Sequence, residues 1–197
     1  RVLTIEEFND FYLRLLSHCD PQEIVLNGEE PKTLINSKNF DFEDFDNVKK
    51  MMLIDSITYL PDDILVKLDR ASMASSLESR VPFLDHRLVE FGFKIPQSLK
   101  LRENKGKWIL REVLYRHVPK NLIERPKMGF AIPINKWLRG PLKDWAEDLL
   151  DEKRLKQEGY FNYKPIRNKW LEHLSGRRNW EHILWNVLMF QSWLSKK

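Results

Sequence analysis

Helical periodicity is the feature of this 197-residue sequence that most restricts its fold. Apolar residues recur every three or four positions, whereas the apolar–polar alternation of a strand never runs longer than about five residues. Helices are expected near residues 5–18, 45–60, 62–77, 86–94, 107–118, 133–139, 141–151, 164–175 and 180–195. The sequence therefore predicts a mainly α chain.

The helical pattern is interrupted at residues 20–43, where prolines and a glycine occur. We therefore divide the chain into residues 1–43, a helix followed by a connecting loop, and residues 44–197, the main helical part. The first residue is Arg1, and helical signals begin almost at once. This start predicts a fragment that was cut from a longer chain at a domain joint.

The cysteine content and the lack of targeting signals favour one compartment. Cys19 is the only cysteine, so no disulfide can form within the chain and a reducing environment is expected. No apolar run approaches the roughly 20 residues that a membrane-spanning helix needs, and no signal-peptide pattern opens the sequence. These features predict a cytoplasmic protein that does not enter the membrane.

Positive charge is concentrated between Lys100 and Lys127. This block contains nine lysines or arginines and three glutamates, although the formal net charge of the whole chain is only +4. Such a block favours an anionic partner, either the phosphate groups of a small molecule or a nucleic-acid backbone. Trp108 and Tyr115 are its only aromatic residues, so platforms for base stacking are not obvious and nucleic acid is the less favoured partner.

The stretch SSLESRVPFLD, residues 75–85, places an acid and a base two positions apart at a predicted helix end. Glu78 and Arg80 are followed by the apolar run Val81–Leu84, which we expect to be buried and to hold this hinge rigidly in the core. Asp85 is expected to cap the next helix. The two charges have two interpretations: they belong to the wall of a catalytic site, or they form one ion pair that fixes the hinge.

The predicted helix at 62–77 carries a second candidate feature of the same site. One of its stripes, bordered by Arg70, mixes carboxylates with apolar side chains. The stripe consists of Asp62, Val66, Asp69, Met73 and Ser76. Residues 71–76 are mostly small, so a ligand or another backbone can approach closely. The pattern favours a pocket wall; the alternative is that Asp69 and Arg70 are ordinary surface charges.

The segment RPKMGF, Arg125–Phe130, is a third candidate feature. Pro126 stiffens the loop, Gly129 permits unusual backbone angles, and Phe130 provides an anchor. Lys127 is therefore presented from a constrained loop, where it can neutralise phosphate oxygens as charge develops on a leaving group. The alternative is a basic surface turn.

The sequence YLPDDILVKLDRASMASSLESRVPFLD, from Tyr59 to Asp85, resembles the signature of the glutamine-dependent asparagine synthetases. Three later motifs follow in the order and spacing of that family: GKWILRE (Gly106–Glu112), LIERPKMGF (Leu122–Phe130) and PINKWLRG (Pro133–Gly140). The resemblance extends over residues 45–195, and a match of this length is specific.

The resemblance implies a fold and a reaction. The fold is the helical C-terminal portion of an α/β domain of the adenine-nucleotide alpha-hydrolase-like (ATP-pyrophosphatase) type, whose nucleotide-loop strands are missing from this chain. Such domains use ATP and Mg2+ to adenylate the side-chain carboxylate of aspartate. Ammonia from a glutaminase domain then attacks the acyl-adenylate to give asparagine, AMP and pyrophosphate. The resemblance is also compatible with a homodimer of the full-length protein.

By the family pattern, three residues would act in catalysis. Glu78 would lie near the reacting carboxyl group, Arg70 would lie in the same region, and Lys127 would contact the phosphates as pyrophosphate departs. Three others would position these groups or bind phosphate: Asp69, Arg80 and Arg125. The five histidines show no metal-ligand spacing with Cys19 or with acids, so no metal ligand is expected in this chain.

Departures from the family pattern limit what this chain can do alone. The phosphate-binding motif S-G-G-x-D-S is absent, and so is the initiating catalytic cysteine of the glutaminase domain. Cys19 is expected within a helix and cannot be that residue. ATP and Mg2+ would therefore be bound mainly outside this chain. Two alternatives stay open: a related ligase that acts on another carboxylate in a polysaccharide, antibiotic or peptide pathway, or a basic helical module that binds nucleic acid.

Overall fold

The computed structural model describes residues 8–31, 33, 35, 45–126 and 132–197. It is mainly helical, as the periodicity predicts. In chain order the elements are α1 (Phe8–Leu16), α2 (Pro21–Ile24), α3 (Asn47–Ile57), a π-helical segment (Leu60–Leu65), α4 (Val66–Met73), a 3-10 turn (Pro82–Leu84), α5 (His86–Lys94), α6 (Gln97–Lys100), strands β1 (Leu101–Arg102) and β2 (Lys105–Gly106), α7 (Trp108–Leu114), α8 (Lys120–Ile123), α9 (Ile134–Arg139), α10 (Lys143–Leu149), α11 (Glu152–Glu158), α12 (Tyr163–Leu174) and α13 (Glu181–Leu194).

The chain divides into two compact units. Unit 1 combines Arg1–Ser37 with Gly129–Lys197, and unit 2 comprises Lys38–Met128. The boundary predicted between residues 43 and 44 falls outside the described residues and stays a prediction. Within the described ranges, no helix is both long enough and apolar enough to cross a bilayer.

The longer predicted helices are confirmed as α3, α5, α7, α9, α10, α12 and α13. α1 is described from Phe8 onward, so the predicted start of that helix near residue 5 lies outside the described residues. Periodicity does not predict α2, α6, α8, α11 or the two strands. The strands and α2, α6 and α8 are two to four residues long, which is too short for a clear apolar period. α11 has seven residues, and Leu155 is the only apolar one among them.

Cys19 lies in the bend between α1 and α2, so the expectation that it falls within a helix is wrong. Asp20 starts α2 instead, because its carboxylate accepts a hydrogen bond from the Gln22 amide at 3.0 Å. Pro21 at the first helical position is a second start signal. Burial, and after it the charge of Glu23, raises the pKa of the Cys19 thiol, which disfavours the reactive thiolate.

The helix predicted at 62–77 is divided in the structure. A π-helical segment occupies Leu60–Leu65, and α4 ends at Met73. Pro61 lies in the first turn of the π-helical segment, where its missing amide hydrogen is tolerated. π-helical turns are rare and occur frequently at functional sites. This one leads directly into the helix that carries Asp69 and Arg70.

α13 is the centre of unit 1. Leu184, Val187 and Leu188 are buried on it, and they share one core with buried side chains from α2, α9, α10, α11 and α12. Trp170 of α12 is fully buried in that core, and its indole nitrogen donates a hydrogen bond to Glu147. The central position of α13 agrees with its composition, because a helix that is apolar nearly all round requires burial.

His173 is a buried histidine in the same unit. Its ring stacks on Trp170 with 6.2 Å between centroids, and its Nδ1 accepts a hydrogen bond from the Trp180 amide at 3.2 Å. Burial, and after it the charge of Arg139, lowers the pKa of His173, while Glu181 opposes that shift. The folded protein therefore favours the neutral imidazole.

We expect His173 to make unit 1 less stable as the pH falls below about 6.5, the ordinary histidine pKa. In that range the unfolded chain binds a proton that the folded chain resists, so the free energy of unfolding decreases until the lowered folded pKa is reached. Urea unfolding between about pH 7.5 and pH 5 should show this slope. The slope should be smaller in His173→Gln than in the wild-type protein, and an unchanged slope would contradict the assignment.

Unit 2 buries little of its apolar surface. Among residues 45–126, Ile54 of α3 is the one buried hydrophobic residue. Leu110, Val113 and Leu114 share a face of α7, yet all three are exposed. The described part of the chain therefore leaves an extended apolar surface on unit 2 uncovered.

The expectation that Val81–Leu84 is buried is wrong. Phe83 is 64% exposed, and Val81 and Leu84 are exposed as well. The run forms a 3-10 turn in which the Leu84 amide donates to the Val81 carbonyl at 3.0 Å. Phe83 shares a cleft with Leu110 and Val113 of α7, but these residues are themselves exposed. Local hydrogen bonds, rather than a core, hold this hinge.

β1 and β2 form a short antiparallel hairpin that ends at the base of α7. Arg102 pairs with Lys105 across it. The turn residues Glu103 and Asn104 have positive φ angles of 52° and 60°, the backbone of a type I′ turn. The hairpin places the Gly106 carbonyl beside the first turn of α7, where it accepts a hydrogen bond from a side chain of that helix.

Candidate active site

A cleft of about 860 Å³ lies within unit 2. Its walls come from the α4 region, from the hinge at residues 79–85 and from the start of α5. Leucines provide much of the apolar lining, while Asp69, Arg80 and Arg87 bring charge into it. This volume lies within the range of small-molecule sites, and the mixed lining is typical of them.

The cleft brings together two of the predicted site residues, Asp69 and Arg80. Arg70 follows Asp69 on α4, but it is not part of the cleft lining. Arg125 lies in another part of unit 2, after α8. Lys127 falls outside the described residues, so its role stays a prediction.

Glu78 and Arg80 form an ion pair, with 2.9 Å between the Glu78 carboxylate and the Arg80 guanidinium. The two side chains are 68% and 81% exposed. An ion pair this exposed contributes little to stability, because water screens it. Glu78 itself does not line the cleft, and the pair links it to the lining residue Arg80 without supplying much folding energy.

The position of Glu78 is set by the way α4 ends. The Leu77 amide donates to the Ser72 carbonyl at 3.0 Å, and the Ser76 amide donates to the Met73 carbonyl at 2.9 Å. Ser76 has a φ of 57°. These are the hydrogen bonds and the left-handed residue of a Schellman motif, which fixes the direction of the chain at Glu78.

Ser76 has the left-handed backbone that glycine usually adopts after a helix. Because no glycine marks this position, the sequence predicts a helix as far as residue 77, whereas α4 ends at Met73. A side chain in the left-handed region costs conformational energy. Residues with such strain occur most often at functional sites, where the surrounding structure holds the backbone in one direction. The only sequence signal here is the run of serines after Met73, which does not mark a helix end by itself.

Asp85 caps α5, as predicted. Its carboxylate accepts a hydrogen bond from the Arg87 amide at 2.9 Å and is bound by the Arg87 guanidinium at 2.9 and 2.7 Å. The hydrogen bond from the Arg87 side chain is the main cause that lowers the pKa of Asp85. Asp85 is therefore committed to structure, whereas Arg87 is a cleft residue that the sequence interpretation did not single out. A basic residue two positions after an aspartate N-cap is the signal that could have indicated it.

The charged groups of the cleft do not fit a Mg2+ site. Asp69 and Asp85 are the carboxylates among its described lining residues, and Asp85 is occupied by Arg87. The one remaining carboxylate faces a cleft that also holds the Arg80 and Arg87 guanidinium groups, which disfavour a cation there. Both guanidinium groups are themselves bound to carboxylates of this chain, Arg80 to Glu78 and Arg87 to Asp85.

Two aromatic rings of the basic block are already covered by cations. The Arg102 guanidinium lies 5.0 Å from the Trp108 ring centroid, and the Lys120 ammonium lies 4.7 Å from that of Tyr115. A ring face that is occupied in this way does not offer a free stacking surface for a base. The geometry therefore weakens the nucleic-acid interpretation of this block.

Residues 5–195 match the protein-family model described as Asparagine synthase. Asparagine synthetase (glutamine-hydrolyzing) 1 of Bacillus subtilis (strain 168) is 32% identical over 151 residues, which are 77% of this chain and 24% of the relative. A protein of Mycobacterium tuberculosis (strain CDC 1551 / Oshkosh) assigned to the same kind of synthetase is 37% identical over 151 residues, 76% of this chain and 23% of its own length. Amidase chry2 of Gibberella zeae is 32% identical over 118 residues, 56% of this chain and 18% of the relative.

The matched region spans about a quarter of the length of these synthetases. No solved structure matches the chain. The family match nevertheless extends over nearly all of the chain and includes the α4 region, the hinge and the segment after α8, which carry the predicted site residues. On this match the chain belongs to the asparagine synthase family.

Proposed function

We propose that the full-length protein is a glutamine-dependent asparagine synthetase and that this chain contributes part of its synthetase site. An oxygen of the aspartate side-chain carboxylate attacks the α-phosphorus of ATP, and the bond to pyrophosphate breaks. Ammonia then attacks the acyl carbon, AMP leaves with the bonding electrons, and the nitrogen loses a proton to give the amide. The family match over residues 5–195 is the observation that carries this proposal.

The hinge is the part of the chain that we assign to the acyl group. Glu78 is exposed beside the cleft residue Arg80, and its carboxylate would accept the proton that the attacking nitrogen loses. Arg80 orients that carboxylate through the 2.9 Å ion pair. Arg70 of α4 would bind the substrate carboxylate, and the neighbouring Asp69 would position Arg70. Fixed geometry of this kind is what lowers the barrier of a reaction between two bound groups.

The segment after α8 is assigned to the phosphates. Arg125 and Lys127 belong to the motif that resembles the family's phosphate-contacting loop. Their cations would stabilise the charge that develops as pyrophosphate departs. ATP supplies the adenylyl group and Mg2+ would neutralise its phosphates, but both would be bound mainly by parts of the protein outside this chain.

The uncovered apolar surface of unit 2 supports the proposal that ATP and Mg2+ are bound mainly by parts of the protein outside this chain. The matched synthetases are about four times as long as the region they share with this chain. We expect the nucleotide-binding part of an ATP-pyrophosphatase domain to pack on exposed residues such as Leu110 and Val113. Burial of that surface would stabilise the complete domain.

A second candidate is the same ligation with another carboxylate as acceptor. The match to Amidase chry2 of Gibberella zeae supports it only in that this relative is not named as an asparagine synthetase. The cleft arginines Arg80 and Arg87 are paired with Glu78 and Asp85, so the described lining does not select an acceptor. The acceptor therefore has to be identified by assay.

The purified full-length protein tests the proposal directly. With aspartate, ATP, Mg2+ and glutamine, we expect asparagine, AMP and pyrophosphate in equal amounts, and the same products when ammonia replaces glutamine. The isolated 197-residue chain should release no pyrophosphate, because it lacks a glycine-rich phosphate loop. Pyrophosphate release that requires a carboxylate other than aspartate would support the second candidate, whereas salt-dependent binding of random DNA without any ligation would overturn both.

A further inference from the structure

The cleft in unit 2 contains one charged side chain without an opposite charge beside it. Arg80 is paired with Glu78 at 2.9 Å, and Arg87 is paired with Asp85 at 2.7 Å. Asp69 is the other charged residue of the lining, and among the described residues none forms an ion pair or a hydrogen bond with its carboxylate. The described lining therefore carries one negative charge that the protein does not compensate.

The sequence of the helical segment explains why the Asp69 carboxylate has no partner. On a helix, side chains three or four positions apart are neighbours. The residues at those distances from Asp69 are not basic: Leu65, Val66, Ser72 and Met73. The Ser72 hydroxyl donates to the backbone carbonyl of Asp69 at 3.1 Å, not to its carboxylate. Neither neighbouring turn supplies a cation, so the carboxylate is available to a ligand.

The surroundings of Asp69 in the cleft are largely apolar. Leu65, Leu68 and Leu88 are among the lining residues. A ligand that fills such a cleft displaces water from the carboxylate and from its own charged group. Because the attraction between opposite charges grows as the effective dielectric constant falls, a cationic group on the ligand gains from this position.

An organic ammonium suits this carboxylate, whereas a divalent metal ion does not. Mg2+ and Ca2+ need about six or more oxygen ligands, and Asp69 supplies the one unpaired carboxylate of the described lining. An ammonium needs only a few hydrogen-bond acceptors, and the Ser79 hydroxyl of the same lining can provide another. Arg80 and Arg87 repel a single positive charge less than a double one, and each is compensated by its own carboxylate. The free charge of the cleft therefore fits an amine.

We infer that Asp69 binds the ammonium group of the acceptor, so that the cleft selects carboxylic acids that also carry an amine. This inference rests on the proposed function, and it adds a contact with the substrate to the supporting role of Asp69 beside Arg70. In aspartate the bound group is the α-ammonium, which limits how far the reacting side-chain carboxylate lies from Asp69. An analogue without the amine is rejected because it leaves the Asp69 carboxylate unpaired.

Aspartate and succinate, which has a hydrogen in place of the amine, test the inference on the full-length protein. The KM for aspartate and the inhibition constant of succinate are measured at saturating ATP, with ammonia as the nitrogen donor. The wild-type protein should favour aspartate by roughly 10- to 100-fold, the usual value of a hydrogen bond between charged groups. In Asp69→Asn the KM for aspartate should rise by a similar factor and the preference should disappear. Asp69→Ala provides a second variant if Asp69→Asn does not fold.

Asp63→Asn controls for the loss of a carboxylate from the same helical region. Asp63 is exposed, pairs with Lys67 at 3.6 Å and does not line the cleft, so both constants should keep their wild-type values. If Asp69 only orients Arg70, its loss should weaken aspartate and succinate by the same factor. A preference that survives in Asp69→Asn, or that is absent from the wild-type protein, would overturn the inference.

The inference and the proposed function fail in different ways. Ligation of an acceptor that carries no amine would overturn the role of Asp69 while the ligase function stands. The proposed function itself fails when the wild-type protein makes no amide from any carboxylate.

Discussion

Lys127→Ala in the full-length protein is expected to reduce asparagine synthesis by about 100-fold or more while glutamine hydrolysis largely persists. Departure of pyrophosphate concentrates negative charge on the bridging and terminal oxygens. A fixed cation stabilises that transition state more than it stabilises bound ATP, so its removal should lower kcat rather than merely raise KM. Lys127→Arg should restore little activity, because a planar guanidinium does not replace a compact ammonium at the same point.

Synthesis and glutamine hydrolysis should be measured on the same preparation, so that loss of folding is not mistaken for loss of catalysis. Lys94→Ala is the matched control, since Lys94 is an exposed lysine of unit 2 that pairs with Glu90 and lies outside the cleft lining. Synthesis at the wild-type rate in Lys127→Ala would identify Lys127 as an ordinary residue of a basic surface turn.

The helical class of this chain could be predicted because helix periodicity is a local property. α5 shows this, since Asp85 at its N-cap and the apolar spacing beyond it lie within ten residues of each other. The central position of α13 in unit 1 also follows from neighbouring residues, because a helix with apolar side chains on every side requires burial. In both cases the decisive residues are neighbours in the sequence.

The state of the hinge could not be predicted in this way. Val81–Leu84 is apolar and was expected in a core, but whether an apolar run is buried depends on what other parts of the protein lie against it. In unit 2 the apolar residues that share a cleft with Phe83, such as Leu110 and Val113, are themselves exposed. The ion pair between Arg111 and Glu124 was missed for a related reason: the two residues are 13 positions apart, and the sequence of α7 does not indicate that Arg111 binds Glu124.

The candidate site was predicted from its motif, and the structure shows which of the predicted residues line the cleft. Asp69 and Arg80 were expected as supports, yet they are the predicted residues that line the cleft. Glu78 lies beside them through its ion pair with Arg80 and through the Schellman motif at Ser76. The strained backbone and the exposed pair both fix a carboxylate without burying it, which is the arrangement that a group in contact with substrate requires.

Glu78→Gln is therefore the second substitution with a large expected effect. Glutamine keeps the size of the side chain and can still accept a hydrogen bond from Arg80, but it cannot take up a proton from the attacking nitrogen. We expect the kcat of synthesis to fall by on the order of 100-fold or more, the usual contribution of a general base. The melting temperature should stay nearly constant, because the ion pair that is lost is exposed on both sides.

Glu90→Gln provides the matched control. Glu90 forms an exposed ion pair with Lys94 on α5, with 3.5 Å between the charged groups, and it does not line the cleft. Both variants remove one carboxylate charge from an exposed pair in unit 2, so they should affect stability alike and differ only in turnover. Replacement of glutamine by ammonia as nitrogen donor leaves the glutaminase step out of the comparison. A stability loss in Glu78→Gln with synthesis intact would show that the pair with Arg80 fixes the hinge and that the proton is accepted by another group.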